Sequence, residues 1–169
     1  PTLFRYAKRA GYRTVYIDAQ AHTLANTDQL QNFMTPAERA DIDAFYPLTD
    51  VVPHEADMKL AAIVERELEG NARVFTYANK LGSHFPYDET YPETEAIHHP
   101  TQTEQGGNTV TSISASYRNA VRWSVDGYFK RQFADLDLAN TALVYTSDHG
   151  QYLKPKSFTH CVSDGAAAQ

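Results

Sequence analysis

Two periodicities, one helical and one strand-like, follow each other along the first part of this chain. A first helix is predicted from apolar residues at helical spacing, which are Leu3, Phe4, Ala7 and Ala10. Gly11 stands where a helix would end, and a β-rich run from Thr14 to Ile17 then leads to Asp18. The pattern therefore predicts a helix, a turn and a buried strand.

The segment HEADMKLAAIVERELEGN carries the clearest helical pattern in the chain. Its predicted apolar face is made of Met58, Ala61, Ala62, Val64 and Leu68, with most of the charged residues outside it. Asp57 is the expected N-cap and Gly70 the expected C-cap. A second strand is predicted in ARVFTYANK, and its mixed composition indicates that it is largely buried.

Later and weaker patterns complete the prediction. Helical spacing resumes in TSISASYRNAVRWSVDGYFKRQFADL, where Gly127 is expected to weaken the helix, and a buried strand is predicted from Ala142 to Thr146. Short helices are predicted at Asp28 to Phe33 and from Pro36 through PAERADIDAFY. The segment from Lys80 to Thr111 is expected to be a long loop, of the kind that is often functional.

This order of helices and strands predicts an α/β domain with a mostly parallel sheet flanked by helices. Ligands of such sheets bind beyond the carboxyl ends of the strands. Three stretches occupy that position: Asp18 with Gln20, the segment NKLGSHFPY, and Asp148 with His149. Catalytic or ligand-binding side chains are therefore expected in these three stretches.

Composition narrows the class of protein. The 169 residues fit one domain, and 42% hydrophobic with 12% aromatic residues indicates a globular chain. The formal net charge of -6 argues against binding to nucleic acid, whose phosphates it would repel. The sequence has no apolar run of about 18 residues that could span a membrane. Cys161 is the single cysteine, so no internal disulfide is expected.

Asp148 and His149 are the strongest candidate metal ligands. After the predicted strand the chain can turn at Gly150 and present both side chains to one ion, and a carboxylate with an imidazole suits zinc or manganese. The plainer interpretation makes Asp148 a helix cap and His149 a surface residue, and the dipeptide alone favours it. The surrounding histidines decide between the two.

Four other histidines are candidates for a functional role. His84 lies in GSHFPY, where Gly82 and Pro86 shape a loop that can hold an imidazole for proton transfer or phosphate contact. His160, in SFTHC, is a second candidate for proton transfer or phosphate contact. An ordinary loop position is the alternative for each. His98 and His99 form either an adventitious metal site or, as the pattern favours, part of a solvated loop.

These segments together resemble the sulfatase branch of the alkaline phosphatase superfamily, and within it the bacterial phosphoethanolamine transferases and their sulfatase-like relatives. LVYTSDHGQYL resembles the late metal-binding segment, and LGSHFPYDETYP resembles the histidine loop. LFRYAKRAGYRTVYIDAQ resembles the helix–strand unit after the nucleophile, and SYRNAVRWSVDGYF the helix before the metal strand. The resemblance covers most of the chain in the family's order.

The resemblance implies a role for each matching residue. Asp148 and His149 would bind a divalent metal, with zinc expected first and manganese or calcium as alternatives. His84 and His160 would contact the phosphate or sulfate group or assist the leaving group. A hydroxyl nucleophile would attack phosphorus or sulfur, and the group would pass to water or to an acceptor hydroxyl.

The family's nucleophile and a further acidic ligand precede the region that Leu3 matches. Residues 1–169 are therefore expected to be part of a single catalytic domain whose nucleophile segment, together with membrane helices, lies upstream of Pro1. The resemblance implies a periplasmic location and a phosphate- or sulfate-ester substrate, with lipid- and glycan-linked esters as candidates. The oligomeric state stays open.

Two departures bear on the substrate. Gln151 stands where the transferases have Glu, and those enzymes carry several disulfides where this chain has only Cys161. Both features favour a less specialised sulfatase-like protein over a lipid A transferase. A second hypothesis of a different class is a non-catalytic α/β binding module, or a chain that is catalytically incompetent by itself.

Overall fold

The structure is a computed structural model that describes residues 2–21, 35–70, 73–151 and 153. Three short parallel strands form its sheet, and helices cover both faces. The strands are β1 (Arg13–Asp18), β2 (Ala44–Pro47) and β3 (Val74–Asn79). The α-helices are α1 (Leu3–Arg9), α2 (Pro36–Arg39), α3 (Pro53–Leu68), α4 (Gln102–Gln105), α5 (Val110–Val121) and α6 (Tyr128–Asp135).

The sheet has the strand order β2-β1-β3, and both neighbours run parallel to β1. Asp18 is in register with Pro47 on one side and with Asn79 on the other, so all three strands end at the same edge. The predicted α/β class with a mostly parallel sheet is confirmed. The edge formed by the ends of these strands is called the carboxyl edge below.

Alternate residues of β1 face two separate apolar cores. Val15 and Ile17, both fully buried, pack in the core that α3 supplies with Leu60 and its neighbours. Tyr16 points to the other face and packs beside Phe4 of α1, with ring centroids 6.0 Å apart. Because every second residue of a strand points the same way, this single strand is buried on both faces.

Helix α3 begins earlier than predicted. Pro53 occupies its first turn and Val52 is the N-cap, so the expectation that Asp57 caps the helix is wrong. Asp57 is instead 3% exposed, on the stripe that faces the sheet. Gly70 adopts φ +69° just after the last helical turn, which is the left-handed conformation that commonly ends a helix.

The long predicted helix of the last part exists in three pieces. Between α5 and α6 lies a π-helical segment, Arg122–Gly127, which ends at the glycine that was expected to weaken the helix. The expected loop before α5 contains two 3₁₀ turns, Tyr87–Glu89 and Glu93–Glu95, as well as α4. Local order is therefore greater there than the sequence pattern indicates.

Two predictions of secondary structure are wrong. The helix from Pro36 ends at Arg39, and Ala44–Pro47 forms β2 because its backbone pairs with β1. Ala142 to Thr146 lies in the described part of the chain but forms no ladder with the three described strands, and Val144 is 92% exposed. An apolar run becomes a strand only where another strand takes up its backbone hydrogen bonds.

The helix predicted at Asp28 to Phe33 falls outside the described residues. None of the helices in the described part of the chain has both the length and the apolar character needed to cross a bilayer.

Candidate functional site

The carboxyl edge of the sheet gathers polar side chains at the end of β1. Asp18 is fully buried, and its Oδ1 atom accepts hydrogen bonds from the Asn79 side chain at 2.8 Å and from the Gln20 backbone N–H at 3.0 Å. The Gln20 side chain donates to the Lys80 carbonyl at 2.9 Å. The predicted convergence of the first two strand ends is therefore present.

The second carboxylate oxygen of Asp18 differs from the first in its surroundings. Its Oδ2 atom is buried and accepts no hydrogen bond from the part of the chain that the structure describes. A buried carboxylate oxygen that accepts no hydrogen bond is costly, so a bound ion or a further polar group is expected beside it. Asp18 thus stands out as a polar position of the carboxyl edge.

His84 lies five residues beyond the end of β3 and is exposed. Its Nδ1 atom is 2.6 Å from the Phe85 carbonyl oxygen. Because a carbonyl only accepts, Nδ1 carries the proton and donates it, which leaves Nε2 as the ring atom that can take up or release a proton. The loop therefore fixes both the orientation and the tautomer of the imidazole.

A buried ion pair lies beneath this loop. The Lys80 Nζ atom is 3.5 Å from Asp57 Oδ2, and their side chains are 11% and 5% exposed. Burial raises the pKa of Asp57 and lowers the pKa of Lys80, while their mutual attraction opposes both shifts. The contact between the two side chains therefore offsets part of the desolvation penalty of burying them.

The segment that leads to Asp148 lies beside the carboxyl edge at Tyr145, next to Lys80, the residue that follows β3. The ring of Tyr145 packs against Phe129 of α6, and its centroid lies 5.9 Å from Lys80 Nζ. Asp148 follows three residues later, a reach of at most about 11 Å for an extended chain. The side chains of Asp148 and His149 are 82% and 35% exposed.

Asp148 and His149 point toward one another. The Oδ2 atom of Asp148 is 3.6 Å from Nε2 of His149, and its Oδ1 atom accepts the His149 backbone N–H at 2.9 Å. His149 Nδ1 lies 2.9 Å from the Gly150 carbonyl, which only accepts, so Nδ1 donates there while Nε2 faces Asp148. A carboxylate oxygen and an imidazole nitrogen thus lie side by side.

This donor pair fits zinc. Ligands about 2.0–2.2 Å from a tetrahedral zinc lie about 3.3–3.6 Å from each other. The 3.6 Å between the two donor atoms falls at the edge of that range. Among the described residues, no third His, Cys, Asp or Glu joins this pair, and His84 is not part of such a group. His160 lies outside the described residues.

His98 and His99 line a separate cavity of about 340 Å³ against α5. His99 Nδ1 is 2.9 Å from Glu104, and this contact raises the pKa of His99. His98 is tied by its backbone to the buried side chain of Asn119, at 3.0 Å. The two histidines belong to an ordered loop, and the residues that the structure describes around them form no metal cluster.

A comparison with protein-family models adds the decisive observation. The model of the family named Sulfatase matches residues 1–167 of the chain. The chain belongs to the sulfatase family. The resemblance predicted from the strand end, the histidine loop and the flanking helices is therefore confirmed. No curated protein matches the chain.

Solved structures agree on the fold of this sulfatase-family chain. The C-terminal periplasmic domain of EcEptC from Escherichia coli is similar with a TM-score of 0.64 and 22% identity, over 98% of this chain and 47% of that one. The same domain in complex with Zn is similar with a TM-score of 0.61 and 21% identity, over 95% of this chain and 47% of that one. The sulfatase-family chain thus spans about half the length of these solved chains.

The sequence prediction missed the buried pair of Asp57 and Lys80. Asp57 was assigned to a helix cap because aspartate near the start of a helix usually caps it. Its spacing to Leu60, Ala61 and Val64 places it on the apolar stripe of α3, and that spacing was the available signal. A charged residue on such a stripe needs a buried partner.

Proposed function

We propose that the complete protein is a metal-dependent enzyme that cleaves phosphate or sulfate esters, or transfers a phosphoethanolamine-type group, through a hydroxyl nucleophile upstream of this chain. Residues 1–169 would form part of that single catalytic domain. The observation that carries the proposal is the convergence of Asp148 Oδ2 and His149 Nε2, 3.6 Å apart, in a chain of the sulfatase family.

Asp148 and His149 would hold the metal, and zinc suits their oxygen and nitrogen donors better than a hard cation does. Zinc, when bound, supplies a positive charge that lowers the pKa of a hydroxyl nucleophile and offsets charge on the ester. The Gly150 carbonyl keeps the proton of His149 on Nδ1, which presents Nε2 to the metal side. Manganese and calcium are the alternatives.

His84 would act on the leaving group. The new bond joins the nucleophile oxygen to phosphorus or sulfur, and the ester bond to the leaving oxygen breaks. That oxygen takes its proton from Nε2 of His84, whose Nδ1 stays bonded to Phe85. Water or an acceptor hydroxyl then attacks the covalent intermediate and gives its proton back to Nε2 of His84, while the bond to the nucleophile oxygen breaks and that oxygen leaves. His160 is the second histidine proposed to contact the transferred group.

The location and substrate follow from the same proposal. The EcEptC domain with the same fold is periplasmic, and we place this protein in the periplasm or on the outer face of the inner membrane. Its ester substrate would be lipid- or glycan-linked in the cell. Nucleic acid is not proposed as a partner, because the chain is acidic, with a formal net charge of -6.

The test uses the complete protein with matched phosphate monoester, phosphodiester and sulfate ester substrates, with and without chelator. We expect chelator-sensitive turnover of at least one ester class. The variant His84→Gln should lower turnover by about 10²–10⁴-fold with zinc content unchanged. His98→Gln, in the ordered loop at α5, is the matched control. Absence of turnover on all three esters, or turnover that chelator leaves intact, would overturn the proposal.

A further inference from the structure

Asp57 ties helix α3 to the beginning of the histidine loop. Its Oδ1 atom accepts the backbone N–H of Leu81 at 2.8 Å, and its Oδ2 atom accepts that of Gly82 at 3.1 Å. Both carboxylate oxygens are thus committed to the loop that leads to His84. Hydrogen bonds from backbone amides to a buried carboxylate are among the strong ones, so this end of the loop is fixed.

Lys80 ties the same loop to the region between α5 and α6. Its ammonium donates to the backbone carbonyl of Ser124 and lies 3.7 Å from the centroid of the Tyr128 ring. Ser124 belongs to the π-helical segment Arg122–Gly127. An inserted residue of this kind changes the backbone pairing of a helix and is common at functional sites. Lys80 thus supplies the hydrogen-bond donor for one backbone carbonyl of that segment.

The same ammonium also lies beside the segment that leads to Asp148. It is 5.9 Å from the centroid of the Tyr145 ring and 5.8 Å from that of Phe129, and the two rings pack edge to face. A cation within about 6 Å of an aromatic face is attracted to it, most strongly where water is excluded. The Lys80 side chain is only 11% exposed.

From these contacts we infer that the Asp57–Lys80 pair is a positioning device that sets the histidine loop and the Asp148–His149 segment relative to one another. Asp57 holds Leu81 and Gly82, the latter lying two residues before His84. The Lys80 ammonium lies 5.9 Å from the ring centroid of Tyr145, three residues before Asp148. The catalytic part of this inference rests on the proposed function. The positioning part concerns the fold and stands without it.

The test compares Asp57→Asn, Lys80→Met and the double variant in the complete protein. Each single variant should lower kcat roughly tenfold to a hundredfold with KM changed much less, because the geometry of the reacting groups is lost. Each leaves a buried charge unpaired and so also lowers stability, whereas the double variant removes both charges. We expect stability to recover in the double variant and kcat to stay low.

A second ion pair of the same chemistry supplies the control. Lys8 Nζ is 2.7 Å from Asp43, whose carboxylate also accepts the Thr14 backbone N–H at 2.9 Å, at the amino ends of β1 and β2. Asp43→Asn and Lys8→Met should lower stability while kcat is kept. Recovery of kcat together with stability in the Asp57→Asn/Lys80→Met variant would overturn the inference, since the pair would then be structural only.

Amide hydrogen exchange separates this inference from the proposed function. Lys80→Met should speed exchange both at residues 82–87 and at residues 144–150, while Lys8→Met leaves both segments at the parent rate. Parent-like exchange at residues 144–150 in Lys80→Met would overturn the inference even in an active enzyme. Faster exchange in both segments of a protein with no ester turnover would refute the proposed function and leave the positioning device in place.

Discussion

The ring of Tyr145 meets the ring of Phe129 edge to face, with centroids 4.9 Å apart and planes at 84°. This contact joins the segment before Asp148 to helix α6. Tyr145 is 50% exposed, so the segment lies on the surface rather than inside the sheet as the sequence predicted. The aromatic contact lies three residues before Asp148, the first candidate metal ligand.

Tyr145→Ala should weaken zinc binding by the complete protein. An aromatic pair contributes about 0.5–1.5 kcal/mol, which corresponds to about a twofold to tenfold loss of affinity when the ordering of the segment is lost. Isothermal titration with zinc measures this affinity in the parent and in the variant. Tyr145→Phe, which keeps the ring, should bind like the parent, and so should Tyr6→Ala, at a residue 57% exposed on α1. Parent-like affinity in Tyr145→Ala would contradict this role.

Glu65 is expected to stabilise the contact between α3 and α6. Its carboxylate accepts two hydrogen bonds from Arg131, both 3.0 Å, and one from the fully buried amide of Gln132, also 3.0 Å. Glu65→Ala should lower the free energy of unfolding by about 1–3 kcal/mol, because the Gln132 amide loses an acceptor. Glu55→Ala, at an exposed position of α3, should cost less than about 0.5 kcal/mol in the same urea titration. Equal losses would count against the buried contact.

Asp43 should make stability depend on acid pH. Hydrogen bonds from Lys8 and from the Thr14 backbone hold the pKa of Asp43 at about 2, below its ordinary value of about 3.9. A folded-state pKa below the unfolded one stabilises the protein above the unfolded pKa, and that contribution is lost as the pH falls from about 4 to about 2. The difference in unfolding free energy between the parent and Asp43→Asn should therefore shrink over this range. A constant difference would show that Asp43 contributes no such dependence.

The elements with local periodic patterns were predictable from sequence, and those made by long-range pairing were not. Helix α3 follows from its apolar stripe, and β1 from a short β-rich run before Asp18. The four residues of β2 are too few to show a period, and pairing with β1 makes them a strand. The apolar run at residues 142–146 shows the converse, because its backbone pairs with none of the described strands.

The candidate site was predictable where it follows from topology. Parallel strands end at one edge, and that rule located Asp18 and the loop of His84. The Asp57–Lys80 pair joins residues 23 positions apart through side chains, a contact that no local pattern encodes. The pairing of Asp148 with His149 was predicted from their adjacency, and the structure adds the 3.6 Å separation of their donor atoms.

Asp148 and His149 are proposed to hold a catalytic zinc. The most direct measurement is zinc content, by elemental analysis, together with ester turnover for Asp148→Asn and His149→Gln in the complete protein. Zinc content and turnover should fall together in both variants, while His98→Gln retains them. Full zinc content with full turnover in Asp148→Asn and His149→Gln would contradict it.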